Sequence, residues 1–286
     1  MDKYLVLYNP FADNKRGRED AEKVKEFIKD ASFRFEDVTK IGDMEAFLAS
    51  VPSDEKLVLT GGDGTLNRFV NSIDPDRLSI DVYYCPAGSG NDFLNDVGRN
   101  EKNLPIRMNP YFKKLPIVTV KGKDYRVLNG VGYGIDGYCC EVGDKMKAES
   151  DKKINYTGIA IKGLLFYFKP VNATVIVDGK AKEFKKVWLA PTMNGRCYGG
   201  GMIPTPGQDR LAEDGLLSTL VMYGTGKLKT LIVFPSIFKG EHVKHTEMCE
   251  ILRGKEITVR FDRPCALQVD GETILDVTEY TMRSVK

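Results

Sequence analysis

Three short stretches of the chain carry residue types suited to handling phosphate. The apolar run Leu57-Val58-Leu59-Thr60 leads directly into Gly61-Gly62-Asp63-Gly64-Thr65, and an amphipathic run follows. Glycines let a backbone turn sharply and come close to a ligand. A helix starting there offers open N–H groups and a positive dipole end, both of which favour phosphate. Asp63 does not fit a bare phosphate cradle. A carboxylate repels phosphate unless Mg²⁺ lies between them or the carboxylate positions a hydroxyl. The same composition also makes a plain strand-to-helix turn. The second stretch repeats the logic: Tyr83-Tyr84-Cys85-Pro86 runs into Ala87-Gly88-Ser89-Gly90-Asn91-Asp92-Phe93. The third, Asn9-Pro10 after the first apolar run with Gly17 downstream, is weak alone. In an open α/β sheet, loops at the carboxyl ends of neighbouring strands share one ligand-binding edge.

The second half offers carboxylates. Val269-Asp270-Gly271-Glu272 stands between two strand-like runs. Asp-Gly there makes a type I′ hairpin turn, as Asp178-Gly179 also does. Asp270 or Glu272 within hydrogen-bond reach of a hydroxyl could orient it and take its proton during phosphoryl transfer. The residues do not say which of the two. Asp214 in Leu211-Ala212-Glu213-Asp214-Gly215-Leu216 reads as a turn or as an oxygen ligand for a hard cation. Gly132-Tyr133-Gly134-Ile135-Asp136-Gly137 matches G-x-G-x-x-G formally, but its flanks read as β-hairpin, so Asp136 is as much a turn residue as a site residue.

Two alternating patterns must position these residues. In the first third, strands at Tyr4–Asn9, Phe33–Val38, Leu57–Thr60 and Ile80–Cys85 alternate with three helical stripes. The stripes are Val24/Phe27/Ile28/Ala31, Met44/Phe47/Leu48/Val51 and Leu66/Phe69/Val70/Ile73. This alternation predicts a doubly wound, Rossmann-like α/β domain with a parallel sheet over residues 1–114. From about residue 115 to 286 the chain reads as antiparallel β, sandwich-like, with helices near 151–168 and 227–239. The last residues were open to a return to the first domain.

At 286 residues with net charge +2, the composition excludes a generally polybasic nucleic-acid binder. No apolar run is long enough to span a bilayer. Six cysteines without C-x-x-C pairs read as reduced thiols, and with no signal pattern the expected location is cytoplasmic. Gly224-Thr225-Gly226-Lys227 lacks the spacing of a P-loop, and His242-x-x-His245 lacks a clear third zinc ligand.

GGDGTLN, PAGSGNDF and the early Asn-Pro resemble the diacylglycerol kinase catalytic-domain family, which includes soluble bacterial lipid kinases and the sphingosine and ceramide kinases. Met193-Asn194-Gly195-Arg196, Gly199-Gly200-Gly201, LAEDGLL from Leu211 and VDGE from Val269 continue the resemblance in order. GGDGT alone is shared with NAD kinases; the combination is more specific. The resemblance implies ATP- and Mg²⁺-dependent phosphorylation of a lipid hydroxyl, diacylglycerol-like or of a long-chain base. It implies nucleotide contacts from Asn9, Thr39, Gly61, Gly62, Asp63, Gly64, Thr65, Asn67, Gly88, Ser89, Asn91 and Asp92. It implies catalytic roles for Asp63, acting through a metal, and for Asp270 or Glu272. It implies a structural Mg²⁺ on the Asp214 carboxylate and the carbonyls of Leu211 and Leu216, and acceptor contacts from Asp136 and Asn194. Arg68 departs from the acidic residue many relatives carry after the loop Asn. The alternatives are NAD kinase-like transfer to a soluble acceptor and a non-catalytic nucleotide- or lipid-binding regulator. A lipid acceptor requires peripheral contact with a membrane. The stretch Asp144–Pro170, with Lys145, Lys147, Lys152, Lys153, Lys162 and Lys169 beside Ile159, Ile161, Leu164, Leu165, Phe166 and Phe168, fits that need or a core helix with a solvated lysine face.

Overall fold

The computed structural model describes residues 1–87, 91–98, 104–149 and 154–286. It divides into two compact units, Met1–Lys114 and Leu115–Lys286.

The first unit holds β1 (Asp2–Tyr8), β2 (Ala31–Asp37), β3 (Glu55–Gly61), β4 (Val82–Pro86) and β5 (Ile106–Arg107) in the order β2-β1-β3-β4-β5. The first four run parallel, and β5 joins antiparallel. The helices are α1 (Ala12–Lys15), α2 (Gly17–Glu22), α3 (Val24–Phe27), α4 (Met44–Ala49), α5 (Asp63–Asn71), α6 (Asp92–Asp96) and α7 (Asn109–Phe112). The central strands are apolar on both faces: Leu5, Val6, Leu7, Leu57, Val58 and Leu59 are all buried, as a sheet covered on both sides requires. The 3.6-residue stripe of α5 buries Leu66, Phe69 and Val70. The first stripe differs from its sequence reading. Its helix stops at Phe27, Asp30 takes a left-handed φ of 54°, and Ala31 opens β2. The apolar residues Ile28 and Ala31 therefore line the turn into the next strand instead of another helical turn.

The second unit builds on one antiparallel sheet. Its strands are β6 (Ile117–Val120), β7 (Lys123–Arg126), β8 (Gly130–Tyr133), β9 (Val171–Val177), β10 (Lys180–Val187), β11 (Thr192–Met193), β12 (Leu217–Met222), β13 (Cys249–Gly254), β14 (Glu256–Val269) and β15 (Glu272–Arg283). The long β14 makes the fold sandwich-like. Ile257–Phe261 pairs with β9, the register breaks on both sides of Cys265, and Leu267–Val269 pairs with β8. A strand that changes partner at a bulge turns its sheet, and the two parts then share one core. Val118, Val175, Phe184, Val259 and Val269 fill it, and Tyr133 stacks on Phe261 at 3.7 Å between centroids. Helices α8 (Ile135–Glu149), α9 (Tyr156–Lys162) and α10 (Lys227–Val233) complete the unit. The chain end stays in this unit. Ser284 donates its N–H to Lys255 O at 2.7 Å, and Lys286 Nζ reaches Arg210 O at 2.6 Å.

One reading is corrected outright. The Gly132–Gly137 segment is not hairpin: β8 passes into the 15-residue α8, and Asp136 sits in that helix's first turn. Glycines at 132, 134, 137 and 143 made it read as turns, whereas they are sites of close approach. A Cβ on Gly137 would lie 1.9 Å from Ala266 O, and one on Gly143 would lie 2.6 Å from the Tyr156 ring. The segment is still no dinucleotide fold, because β8 lies between antiparallel partners.

Candidate active site

Strand register gathers the first unit's motifs at one edge. Tyr8 pairs with Asp37 and with Thr60, and Thr60 pairs with Cys85. The loops that follow therefore leave the same carboxyl edge at one level: Asn9, Thr39, Gly61–Thr65 and Ala87. Chain order reverses there, with β2 on one side of β1 and β3 on the other, which is where open α/β sheets bind ligands. Asn9 Oδ1 accepts the Phe11 N–H at 2.9 Å. Its carbonyl approaches Gly17 so closely that a Cβ there would lie 1.8 Å away, which accounts for that glycine. Thr39 is exposed and fixed by Asp37, whose Oδ1 accepts both the Thr39 N–H at 2.9 Å and its hydroxyl at 2.7 Å. The Thr39 hydroxyl beside Asp37 holds that carboxyl below its usual range.

The GGDGT loop is fastened to the second loop. Asp63 Oδ2 accepts the Asp92 N–H at 2.8 Å and Oδ1 accepts the Phe93 N–H at 3.0 Å. Phe93 is buried edge-on against Tyr84 and Tyr111. The Tyr84 hydroxyl donates to Gly61 O at 2.7 Å, and Ala87 N–H donates to the same carbonyl at 2.9 Å. Asp63 thus uses both oxygens to cap α6 and ties the two loops together. Asn91 occupies the N-cap position of α6, and Asp92 is buried in its first turn. Gly88 and Ser89 lie outside the described residues. Asn67 is buried and accepts from Asn71 Nδ2 at 2.8 Å, while Arg68 is exposed in the last turn of α5.

Two glycines of this loop answer different needs. A Cβ on Gly61 would lie 2.1 Å from Thr65 Oγ1, so Gly61 serves packing. Gly64 has no atom within 4 Å of its Cβ position, so nothing inside the protein requires it. Alanine should fit there and, in a helix, stabilise by about 0.5–1 kcal/mol. If phosphate occupies that space, Gly64→Ala raises the melting temperature slightly and weakens ATP binding at least about tenfold. Calorimetric titration with ATP checks it.

In the second unit three motifs converge on Leu128–Gly130. Asp270 and Gly271 take φ of 45° and 93°, the left-handed pair of a type I′ turn between β14 and β15. The Asp270 carboxylate also accepts the N–H groups of Leu128 at 2.6 Å, Asn129 at 2.8 Å and Gly130 at 3.0 Å. Asp178, read as turn only, behaves alike in an exposed setting, accepting from Lys255 and Glu256 at 2.9 Å each. Asn194 Nδ2 donates to Leu128 O at 2.8 Å. Arg210 donates to Leu128 O at 3.1 Å and to Asn129 Oδ1 at 2.9 Å. Asp270, Asn194, Arg210, Leu128 and Asn129 are all buried. Glu272, just past the turn, is exposed.

Asp136 joins the same turn through Gln268. Gln268 Nε2 donates to Asp136 Oδ2 at 2.9 Å, and Gln268 Oε1 accepts the Gly271 N–H at 2.6 Å. Gly132 leaves the room: a Cβ there would lie 1.7 Å from Asp136 Oδ2. Gly199, Gly200 and Gly201 take φ of 61°, 80° and 101°, a left-handed run that only glycine sustains. That run bends the chain between the paired Tyr198 and Met202. The Tyr198 hydroxyl is buried, with no hydrogen-bond partner among the described residues. Burial, then the Asp136 charge, pushes it well above the ordinary tyrosine range. Sequence reasoning missed Arg210 and Gln268, which reach partners 81 and 132 residues away, and Gln208, which bonds Leu216 O and Ser218 Oγ. The one local signal was Gln268 and Arg210 flanking the VDGE and LAEDG motifs.

Two of the three groups expected to hold a structural Mg²⁺ also bond within their own turn. Leu216 O accepts Gln208 Nε2 at 2.9 Å, and Asp214 Oδ1 accepts the Leu216 N–H at 3.0 Å. An ammonium lies at the same turn: Lys286 Nζ meets Arg210 O at 2.6 Å and Ala212 O at 3.1 Å. Lys286→Met should therefore cost about 1 kcal/mol. Chelator tests the metal separately: a fall in the ligand-free melting temperature supports a structural Mg²⁺ at this turn, and an unchanged one speaks against it.

The two-unit fold matches known families. Residues 3–113 match the family described as the diacylglycerol kinase catalytic domain, and residues 129–282 match the YegS C-terminal NAD kinase beta sandwich-like domain. The second match covers more than half of the chain, which therefore belongs to that YegS C-terminal domain family; its first unit matches the diacylglycerol kinase catalytic domain, and the chain is a lipid kinase. A Mycobacterium tuberculosis protein named diacylglycerol kinase is 25% identical over 222 residues, covering 73% of this chain and 67% of that one. A Staphylococcus epidermidis relative is 27% identical over 255 residues, covering 82% and 78%. A Bacillus anthracis crystal structure described as a diacylglycerol kinase shares the fold with TM-score 0.59 at 18% identity, covering 99% of this chain and 94% of that one. Among the described residues no helix is long and apolar enough to cross a membrane.

Proposed function

We propose that this chain transfers the γ-phosphoryl group of ATP to the hydroxyl of a lipid, diacylglycerol-like or a long-chain base. The observation that carries this reading is the common sheet edge, where register brings Asn9, Thr39 and the GGDGT loop to one level. The amides at the start of α5 hold phosphate oxygens, and Gly64 leaves space for them. Asp63 positions: it keeps the second loop beside the first. Mg²⁺ arriving with the nucleotide supplies charge neutralisation at the transferred group. The second unit supplies the acceptor groups. Asp270 and Glu272 stand on either side of one turn, the first buried and anchored, the second exposed. A carboxylate of this pair orients the lipid hydroxyl and takes its proton. Asp136, through Gln268, and Asn194, through Leu128, brace the same turn and belong to the acceptor side.

An ATP-consumption assay with two acceptor classes tests the reading. Turnover with a short-chain diacylglycerol or sphingosine, and none with NAD, is the expected result. Turnover with NAD alone would overturn the lipid acceptor, and ATP binding without turnover on any acceptor would leave a regulator.

A further inference from the structure

Two segments distant in sequence form one unusual surface of the second unit. After α9 the chain winds as a wide π turn, Gly163–Tyr167. Gly163 packs so tightly that a Cβ would lie 2.7 Å from the Tyr138 ring. That approach buries Leu164 and Phe168 and leaves Phe166 and Tyr167 outside, 70% and 67% exposed. Beside it, α10 buries Thr230 and Val233 and turns Leu228 and Ile232 outward, 71% and 70% exposed. These two lie four residues apart, on one helix face. The segments touch: Lys227 Nζ donates to Leu165 O at 2.8 Å, and Leu164, Phe168, Val233 and Phe234 share one core cluster. Four large apolar side chains so exposed on adjoining elements mark an interaction surface.

Charge selects the partner. Residues 154–170 and 224–240 contain no Asp or Glu, yet carry Lys162, Lys169, Lys227, Lys229 and Lys239, of which Lys229 pairs with Glu247 at 2.7 Å. A second copy seated face to face would bring lysines against lysines. An anionic bilayer complements them while accepting the aromatic and aliphatic side chains below its headgroups. We propose that Phe166, Tyr167, Leu228 and Ile232, with their lysine rim, dock this protein on anionic lipid. The surface thus uses only the later part of the basic stretch seen in the sequence and adds α10, which no local pattern joined to it. Lys152 and Lys153 of that stretch lie outside the described residues.

The use of this surface rests on the lipid-acceptor reading, but its test does not. Co-sedimentation is measured with phosphatidylglycerol-containing and pure phosphatidylcholine vesicles. The expected result is salt-sensitive binding to the anionic vesicles, weakened roughly tenfold or more in Phe166→Ser/Ile232→Ser and in Lys162→Glu/Lys239→Glu. Because the substituted residues are exposed, melting temperatures should be unchanged, as should turnover of a water-soluble short-chain acceptor. Unchanged vesicle binding in both variants, or none by the unaltered protein, overturns the proposal. A dimer in sedimentation equilibrium that the variants dissolve would assign the surface to self-association instead. Failure of the lipid-acceptor reading shows separately, as no turnover of the short-chain lipid.

Discussion

Asp270→Ala should be among the most damaging single substitutions in this chain, costing stability as well as turnover. It leaves the buried N–H groups of Leu128, Asn129 and Gly130 without their carboxylate acceptor. At about 1–3 kcal/mol for each unsatisfied buried group, the loss is roughly 3–9 kcal/mol, a large part of an ordinary domain's stability. Asp270→Asn should sit between, because its amide NH₂ would face N–H donors where an oxygen stood. Glu272→Gln is the control. An exposed substitution away from such a network stays within about 0.5 kcal/mol, yet should lower kcat if Glu272 meets the acceptor hydroxyl. Urea denaturation beside kcat separates the two residues. Comparable stability for all three variants would show that the Leu128–Gly130 segment does not depend on Asp270.

Asp63→Asn should nearly abolish phosphoryl transfer while the protein stays folded. One oxygen still accepts an N–H of α6, but the new NH₂ faces the other. The expected cost is about 1–2 kcal/mol of stability, that of a damaged helix cap. The cost to kcat is larger, about a hundredfold or more, because the second phosphate-side loop loses its fixed distance from the first and catalysis of this kind depends on positioning. Undiminished kcat would mean that the tie between Asp63 and α6 has no part in the reaction.

Much of the first unit was legible because its signals are local. Continuous apolar runs place β1, β3 and β4, the 3.6-residue stripe places α5, and glycine-rich turns fall where the strands end. What Asp63 does was not legible, because its partners lie 29 and 30 residues further on and the spacing names no acceptor. Asp136 was misread for a physical reason. Gly137 and Gly143 are poor helix formers in an isolated segment, but here they let α8 pack against Ala266 and Tyr156, and packing outweighs propensity. Arg210, Gln208 and Lys286 act on backbone carbonyls, and a carbonyl leaves no mark in sequence. At the LAEDG turn, Gln208 and the Lys286 ammonium bond carbonyls that no sequence pattern singles out.

The most direct test of the account is transfer of label from [γ-phosphate-labelled] ATP, with Mg²⁺, in mixed micelles of diacylglycerol, monoacylglycerol, ceramide and sphingosine. The account predicts one labelled lipid, formed by the unaltered protein and nearly absent with Asp63→Asn. ATP bound normally with no lipid labelled would contradict it.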